Sequence, residues 1–167
     1  MNNLPDLEKK INSELTTKIK FSEIKHGQLY LNIDCGDMID VLLFLKNNVS
    51  TKFKQLIDIT AVDYPEETER FKLTYLLLSH ELNSRVILSY LINENELIPS
   101  ITQIFPSANW MEREVFDMYG IKFKNHPDLR RILTDYGFKG HPLRKDFPLT
   151  GFNEVRYSEK EKKVVYE

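Results

Sequence analysis

Three strand-like runs follow one another at residues 53–62, 71–79 and 85–92, separated by short polar stretches, and they constrain this chain more than any other feature. Each is rich in β-branched and aromatic residues: Phe53, Ile59 and Val62 in the first, Phe71, Thr74 and Tyr75 in the second, Val86, Ile87 and Tyr90 in the third. In the second run apolar and polar positions alternate from Phe71 to Tyr75, a strand's period, because successive side chains leave opposite faces. Tyr64-Pro65-Glu66-Glu67 supplies the first turn and residues 81–84 the second. Connections this short return a strand beside its predecessor in the antiparallel sense.

The segments ahead of these runs complete a layered domain. Leu4, Leu7, Ile11 and Leu15 recur every three to four residues, one apolar stripe on a helix over about residues 4–17. Residues 19–24 and 29–33 flank His26-Gly27 and read as a hairpin. A second helix begins after Gly36, with Asp37 predicted as its N-cap and Met38, Val41, Leu42 and Leu45 on the buried side. The expected fold is α+β: an antiparallel sheet with two or three helices on one face, occupying residues 1–106.

Beyond Pro106 the chain changes character. Five of its seven Arg and ten of its nineteen aromatic residues lie there, while Gly120, Gly137, Gly140 and Gly151 alternate with Pro127, Pro142 and Pro148. Such spacing leaves no room for long elements, so residues 107–167 are expected to form one short helix, about 109–119, and a long extended C-terminal segment. A stretch this irregular cannot bury its own aromatics. It lies on the first domain or on another protein.

Composition excludes several functions. A single cysteine, Cys35, rules out a disulfide framework and any thiolate-built zinc or iron–sulfur site. The longest apolar run is the five residues 41–45, far short of a membrane span. A net charge of −2 argues against nucleic acid as the partner. The first residues carry neither the apolar core of a secretory signal nor the Arg-rich, acid-poor character of a transit peptide, so the expectation is a protein that either works where it is made or has lost a presequence.

The chemistry-bearing side chains point to binding before catalysis. His26 sits in a turn and His80 at a strand end; His126-Pro127 and His141-Pro142 fit ordered loops better than a metal site, since no pair has helical ligand spacing. Glu112 and Glu114 leave opposite sides of a helix, whereas Glu114 and Asp117 share a face, where an ion pair with Arg130 or Arg131 would relieve their repulsion. No phosphate loop or nucleophile elbow is present. Arg130-Arg131 and Arg144-Lys145 are matched by Asp128, Asp135 and Asp146, a pattern of ion-paired docking.

Together these residues resemble a known signature. Glu112-Arg113-Glu114, Asp117, His126, Arg130 and Ile132 are similar to that of the C-subunit family of NADH–quinone oxidoreductase, respiratory complex I, called NADH dehydrogenase subunit 9 when mitochondrially encoded. Asp58-Ile59-Thr60-Ala61-Val62-Asp63-Tyr64-Pro65 and Ile104-Phe105-Pro106-Ser107-Ala108-Asn109-Trp110 resemble it too. So do the run from Asp135-Tyr136-Gly137-Phe138 through His141, Arg144 and Asp146 to Pro148, and the closing Glu154-Val155-Arg156-Tyr157. The likeness covers most of the chain and is densest from Ile104 onward.

The resemblance implies a cofactor-free core subunit of the peripheral arm of proton-pumping NADH:ubiquinone oxidoreductase. Such a subunit braces the large, hydrogenase-like subunit that bears the quinone site, with its extended C-terminal segment lying across that partner. It has no catalytic residue; FMN, iron–sulfur clusters and quinone belong to other subunits. The signature residues Glu112, Arg113, Glu114, Asp117, His126 and Arg130, with Arg131, His141, Arg144, Asp146 and Arg156, become the expected partner interface. Relatives often continue past a segment like 164–167, so a neighbouring subunit is expected to substitute for the shorter tail. Sixteen Lys against seven Arg suit an AT-rich, organelle-encoded gene. The expected place is then the matrix side of the mitochondrial inner membrane, or else the cytoplasmic face of a bacterial membrane. The alternatives are the equivalent module of a membrane-bound hydrogenase, a free-standing binding module, and catalysis through Glu114, Asp117 and His126.

Overall fold

The computed structural model describes residues 4–135, 137–152 and 155–166, with Tyr166 described by its backbone alone. Tyr136 and Glu154, both part of the signature, lie outside the described residues. The chain opens with helix α1 (Leu4–Glu14), strands β1 (Ile19–Lys25) and β2 (Gln28–Ile33), a short 3-10 turn (Cys35–Asp37) and helix α2 (Met38–Asn47). His26 and Gly27 have φ of 51° and 71°, the left-handed pair that a two-residue hairpin turn requires. Asp37 precedes α2 but makes no side-chain cap bond. Its N–H instead closes the 3-10 turn onto the Asp34 carbonyl at 3.1 Å.

Strands β3 (Gln55–Asp63), β4 (Phe71–Ser79) and β5 (Ser84–Ile92) form the expected antiparallel meander, and the five strands line up as β1-β2-β5-β4-β3. The sheet is mixed, not purely antiparallel, because β2 runs parallel to β5. Helix α2 carries the chain from β2 to the far edge, where β3 sets off in the same direction. Two antiparallel reversals later, β5 arrives beside β2 pointing the same way. The α+β class holds.

One sheet face is the core. Leu29, Leu31 and Ile33, Phe71, Leu73, Tyr75 and Leu77, and Val86, Leu88, Tyr90 and Ile92 are buried on it in strict alternation. On β3 the alternation slips: Leu56 and Ile59 are both buried, because Ile57 falls in a bulge where the register skips from Leu56 to Asp58. The Tyr75 and Tyr90 hydroxyls share a 2.8 Å hydrogen bond and their rings stack at 5.7 Å, which satisfies two polar atoms in the middle of an apolar layer. Ile11 and Leu15 from the α1 region and Met38, Val41, Leu42 and Leu45 from α2 close over it. Each such side chain contributes about 1.5–3 kcal/mol by leaving water.

The core does not stop at residue 106. Strand β6 (Leu97–Pro99), helix α3 (Ala108–Tyr119) and strand β7 (Lys122–Lys124) follow, with β6 and β7 pairing in parallel. Helix α3 packs on β3, and Ala108, Val115, Ile121 and Phe123 belong to the same apolar cluster as the sheet. Residues 125–152 have no helix or strand among those described. The chain closes with a small hairpin, β8 (Val155–Ser158) and β9 (Lys163–Tyr166), too short to be read from the sequence.

Candidate functional site

The polar residues of the signature converge on the C-terminal half of α3. Asp117, fully buried, is its hub. Oδ2 accepts the backbone N–H groups of Ile132, Leu133 and Thr134 at 3.0, 2.8 and 2.9 Å. Oδ1 accepts Arg131 Nη1 at 2.7 Å and Thr134 Oγ1 at 2.6 Å. Burial opposes ionisation here, yet the donors from Thr134, Leu133 and Ile132 outweigh it and hold the Asp117 carboxyl well below the usual carboxylate range. Arg131 is the partner expected for an α3 acid, and its Nη2 also donates to the Gly140 carbonyl at 2.9 Å.

A helix ends with carbonyls that have no intrahelical donor, and here the later chain supplies one to each of the last three. His141 Nδ1 lies 2.9 Å from the Asp117 carbonyl, Leu143 N–H donates to Met118 at 3.1 Å, and Arg144 Nε donates to Tyr119 at 2.6 Å. Gly120 turns the chain away with φ 81°. A Cβ there would fall 2.6 Å from His141 Nε2 and 2.7 Å from Arg144 Nη2, so the close approach demands glycine. The bond to Asp117 O makes Nδ1 the protonated nitrogen of a neutral ring, and burial depresses the His141 pKa.

Arg144 also reaches Glu94 Oε1 at 2.6 Å, joining a second cluster. Arg70 clamps buried Asp63 with Nε and Nη2 at 2.7 and 3.0 Å, and contacts Asp146 at 2.8 Å and Glu94 at 3.3 Å. Lys145 N–H donates to Asp63 Oδ2 at 2.8 Å. The Arg70 and Arg144 guanidinium carbons each stand 5.3 Å from the Phe71 ring centroid. Sequence reasoning missed Arg70 and Glu94. The available signal was Asp63, a buried-register acid at a strand end that must find a cation.

Glu112 is different. Its side chain is 0 % exposed, and Oε1 accepts Ile101 N–H at 2.7 Å while Oε2 has no hydrogen-bond partner among the described residues. His126 Nε2 lies 3.8 Å from Oε2 but also 3.0 Å from the Asn109 carbonyl, while Nδ1 accepts Asp128 N–H at 3.0 Å. Accepting at Nδ1 leaves Nε2 to donate toward the Asn109 carbonyl. Burial pushes the Glu112 pKa up to about 7.

The remaining signature residues face outward. Glu114, Arg130 and Arg156 are exposed; Arg130 pairs with Asp128 at 2.7 Å. Arg113 is half-buried, donating to the Arg130 and Arg131 carbonyls at 3.0 and 3.3 Å. Cys35, half-buried, has a thiol pKa pushed up to about 12 by burial, which disfavours the thiolate. Among the described residues no three of His, Cys, Asp and Glu converge as metal ligands.

Residues 31–153, which contain every one of these contacts from Asp63 to Asp146, match the family model of the respiratory-chain NADH dehydrogenase 30 kDa subunit. The chain belongs to this family. It is 51 % identical over 164 residues to the NADH-quinone oxidoreductase C-subunit of Ruegeria sp. (strain TM1040), covering 98 % of this chain and 82 % of that protein. Against the same subunit of Ruegeria pomeroyi the identity is 55 % over 145 residues, with 87 % and 72 % coverage; against that of Chelativorans sp. it is 48 %, with 98 % and 82 % coverage. Among solved structures, a chain of the membrane-bound sulfane sulfur reductase, an archaeal respiratory membrane complex, shares the fold with a TM-score of 0.75 at 24 % identity, over 87 % of this chain and 85 % of that one. As a 30 kDa subunit family member, the chain is part of a multi-subunit respiratory oxidoreductase. No helix among the described residues is long and apolar enough to cross a membrane.

Proposed function

We propose that this chain is a cofactor-free, structural subunit of the peripheral arm of a proton-pumping NADH:ubiquinone oxidoreductase, bracing the subunit that holds the quinone site. One observation carries the reading: Asp117, His126 and His141 are engaged within the chain, and Glu112, whose Oε2 lacks a partner among the described residues, has a side chain 0 % exposed. Asp117 is saturated by five donors, His141 caps a helix, and His126 bridges Asn109 and Asp128. A general base needs a free lone pair facing a substrate; the carboxylate has none, and both rings are held against the chain's own backbone. FMN, iron–sulfur clusters and quinone would reside in other subunits.

Of the eleven signature residues, the buried and half-buried ones build the platform together with Asp146, which is exposed but paired with Arg70, and the exposed Arg130, Arg156 and Glu114 meet the partner. The C-terminal segment and its hairpin offer further apolar surface. Leu149, Phe152, Val155, Tyr157 and Val164 are all more than half exposed, and a lone two-stranded hairpin is marginal in water without a surface to lie on. The partner would be the quinone-site subunit, on the matrix side of a mitochondrial inner membrane or the equivalent cytoplasmic face in a bacterium. The equivalent module of another membrane-bound respiratory complex is the second reading, favoured by the shared fold with the archaeal reductase chain.

Native purification from the source organism tests this. The chain is expected to co-migrate with an NADH-oxidising, quinone-reducing complex, and its deletion to abolish assembly. A complex that assembles fully and reduces quinone without it would overturn the proposal.

A further inference from the structure

The outer side of α3 carries a patch that the bracket around Asp117 does not use. Trp110, the chain's single tryptophan, is 67 % exposed. One turn on, the Arg113 guanidinium stands 5.8 Å from the Trp110 ring centroid, held in place by two main-chain carbonyls. Arg130 and Arg131 have carboxylate partners in Asp128 and Asp117, whereas Arg113 makes no ion pair among the described residues. Leu133, 61 % exposed, lies on the loop that Asp117 organises. Beside them opens a cleft of about 550 Å³, lined by Arg113, Arg130, Arg131, Thr134 and Asp135 among others.

We infer that this cleft, with Trp110 beside its Arg113, forms a docking site for an acidic segment of a neighbouring subunit, which sets a carboxylate against Arg113 and an apolar side chain against Trp110. The inference deepens the structural reading above and rests on it. Of the three guanidinium groups that line the cleft, Arg130 and Arg131 already hold carboxylates of this chain while Arg113 holds none among the described residues, so a single carboxylate is what the cleft can still take. A guanidinium immobilised on backbone carbonyls loses little freedom when it takes a carboxylate. Tryptophan and arginine are among the residues most enriched at the energetic centre of protein interfaces, and here they stand side by side. The two carbonyls behind Arg113 and the helix that carries Trp110 make the patch preformed.

Hydroxyl-radical footprinting of the wild-type chain, free and within the purified complex, reads the site directly, because a single tryptophan reports it. Trp110 oxidation is expected to drop roughly ten-fold or more in the complex, as for a side chain buried at an interface centre. A chain present in the complex with Trp110 as reactive as in isolation overturns this site while leaving the structural role standing; a complex lacking the chain overturns both. The double variant Trp110→Ala, Arg113→Glu is expected to keep the isolated fold by circular dichroism and to lose incorporation. Normal incorporation of that variant counts against the site. Inorganic phosphate titrated against Trp110 fluorescence of the isolated chain is expected to give no saturable change; a saturable change abolished by Arg113→Ala would mean a small-anion site instead.

Discussion

Asp117 and Arg131, fourteen positions apart, share a 2.7 Å ion pair that joins the last turn of α3 to the loop that follows it. The same carboxylate gathers three consecutive N–H groups of that loop. Asp117→Ala therefore strands a cation and three amides together, at a cost on the order of 3–5 kcal/mol, the range for breaking a buried pair. Urea unfolding of the isolated chain measures it. Because the folded pKa is depressed, the stabilisation is present above the ordinary carboxylate range and is lost as pH falls below it. A variant as stable as wild type at pH 7 would remove Asp117 from its place as hub.

Glu112 titrates in the opposite sense. Its folded pKa of about 7 lies above the ordinary glutamate value, so the protonated form is the stable one inside. The contribution is complete below about pH 4.3, the ordinary glutamate value, and is lost as pH rises through 7. Glu112→Gln keeps an acceptor for Ile101 N–H and cannot ionise. It is expected to stabilise the chain at pH 8 by on the order of 3 kcal/mol and to flatten the stability profile between pH 5 and 7. Thermal melts across that window decide the matter; a wild-type profile without that slope would show that Oε2 has a partner in solution.

Gly120→Ala places a methyl where His141 and Arg144 stand and forces φ 81° on an L side chain. The backbone conformation alone costs about 1–2 kcal/mol. The steric clash adds to it by lifting the segment that caps α3. Protection of the Leu143 and Lys145 amides against hydrogen exchange should fall, because their acceptors are the Met118 carbonyl and Asp63. Unchanged protection would mean that the cap survives elsewhere.

Limited proteolysis of the isolated chain should cut first within residues 149–166. The chain from 121 to about 148 is tied back through Phe123, Asp117, Arg131, His141 and Arg144, whereas Leu149 is fully exposed and the closing hairpin offers little buried surface. Exposed, weakly packed backbone is where nicking concentrates. Mass spectrometry of the first stable fragment is expected to place its end near residue 148. Early cleavage inside residues 125–145 would argue that the bracket forms only on a partner.

Much of the layered fold was legible because its signals are local. His26-Gly27 announced its hairpin, the Met38, Val41, Leu42 and Leu45 stripe announced α2, and alternation announced β4. What pairs with what is not local: nothing in Leu29 to Asn32 says that Val86 to Ser89 will lie beside them in parallel. Nor could the Ile57 bulge be read, since one skipped residue looks like imperfect alternation. In the site, an arginine partner for Asp117 followed from a shared helix face. The capping of α3 by His141, Leu143 and Arg144 did not, because a backbone acceptor leaves no mark in the sequence of its donor.

The bond from Lys145 to Asp63 spans 82 positions, and that from Arg70 to Asp146 spans 76. At roughly 5–20 residues per second of synthesis, the meander, complete at Ile92, emerges about 3–11 seconds before Lys145 and the segment that neutralises its polar end. Through that interval Asp63 and Arg70 have only each other and Glu94, and the carbonyls at the end of α3 have only water. The nascent chain thus passes through a stage with its apolar layer closed and its electrostatic seal missing. A ribosome paused between residues 120 and 145 would display that half-sealed state to the chaperones and assembly partners waiting for it.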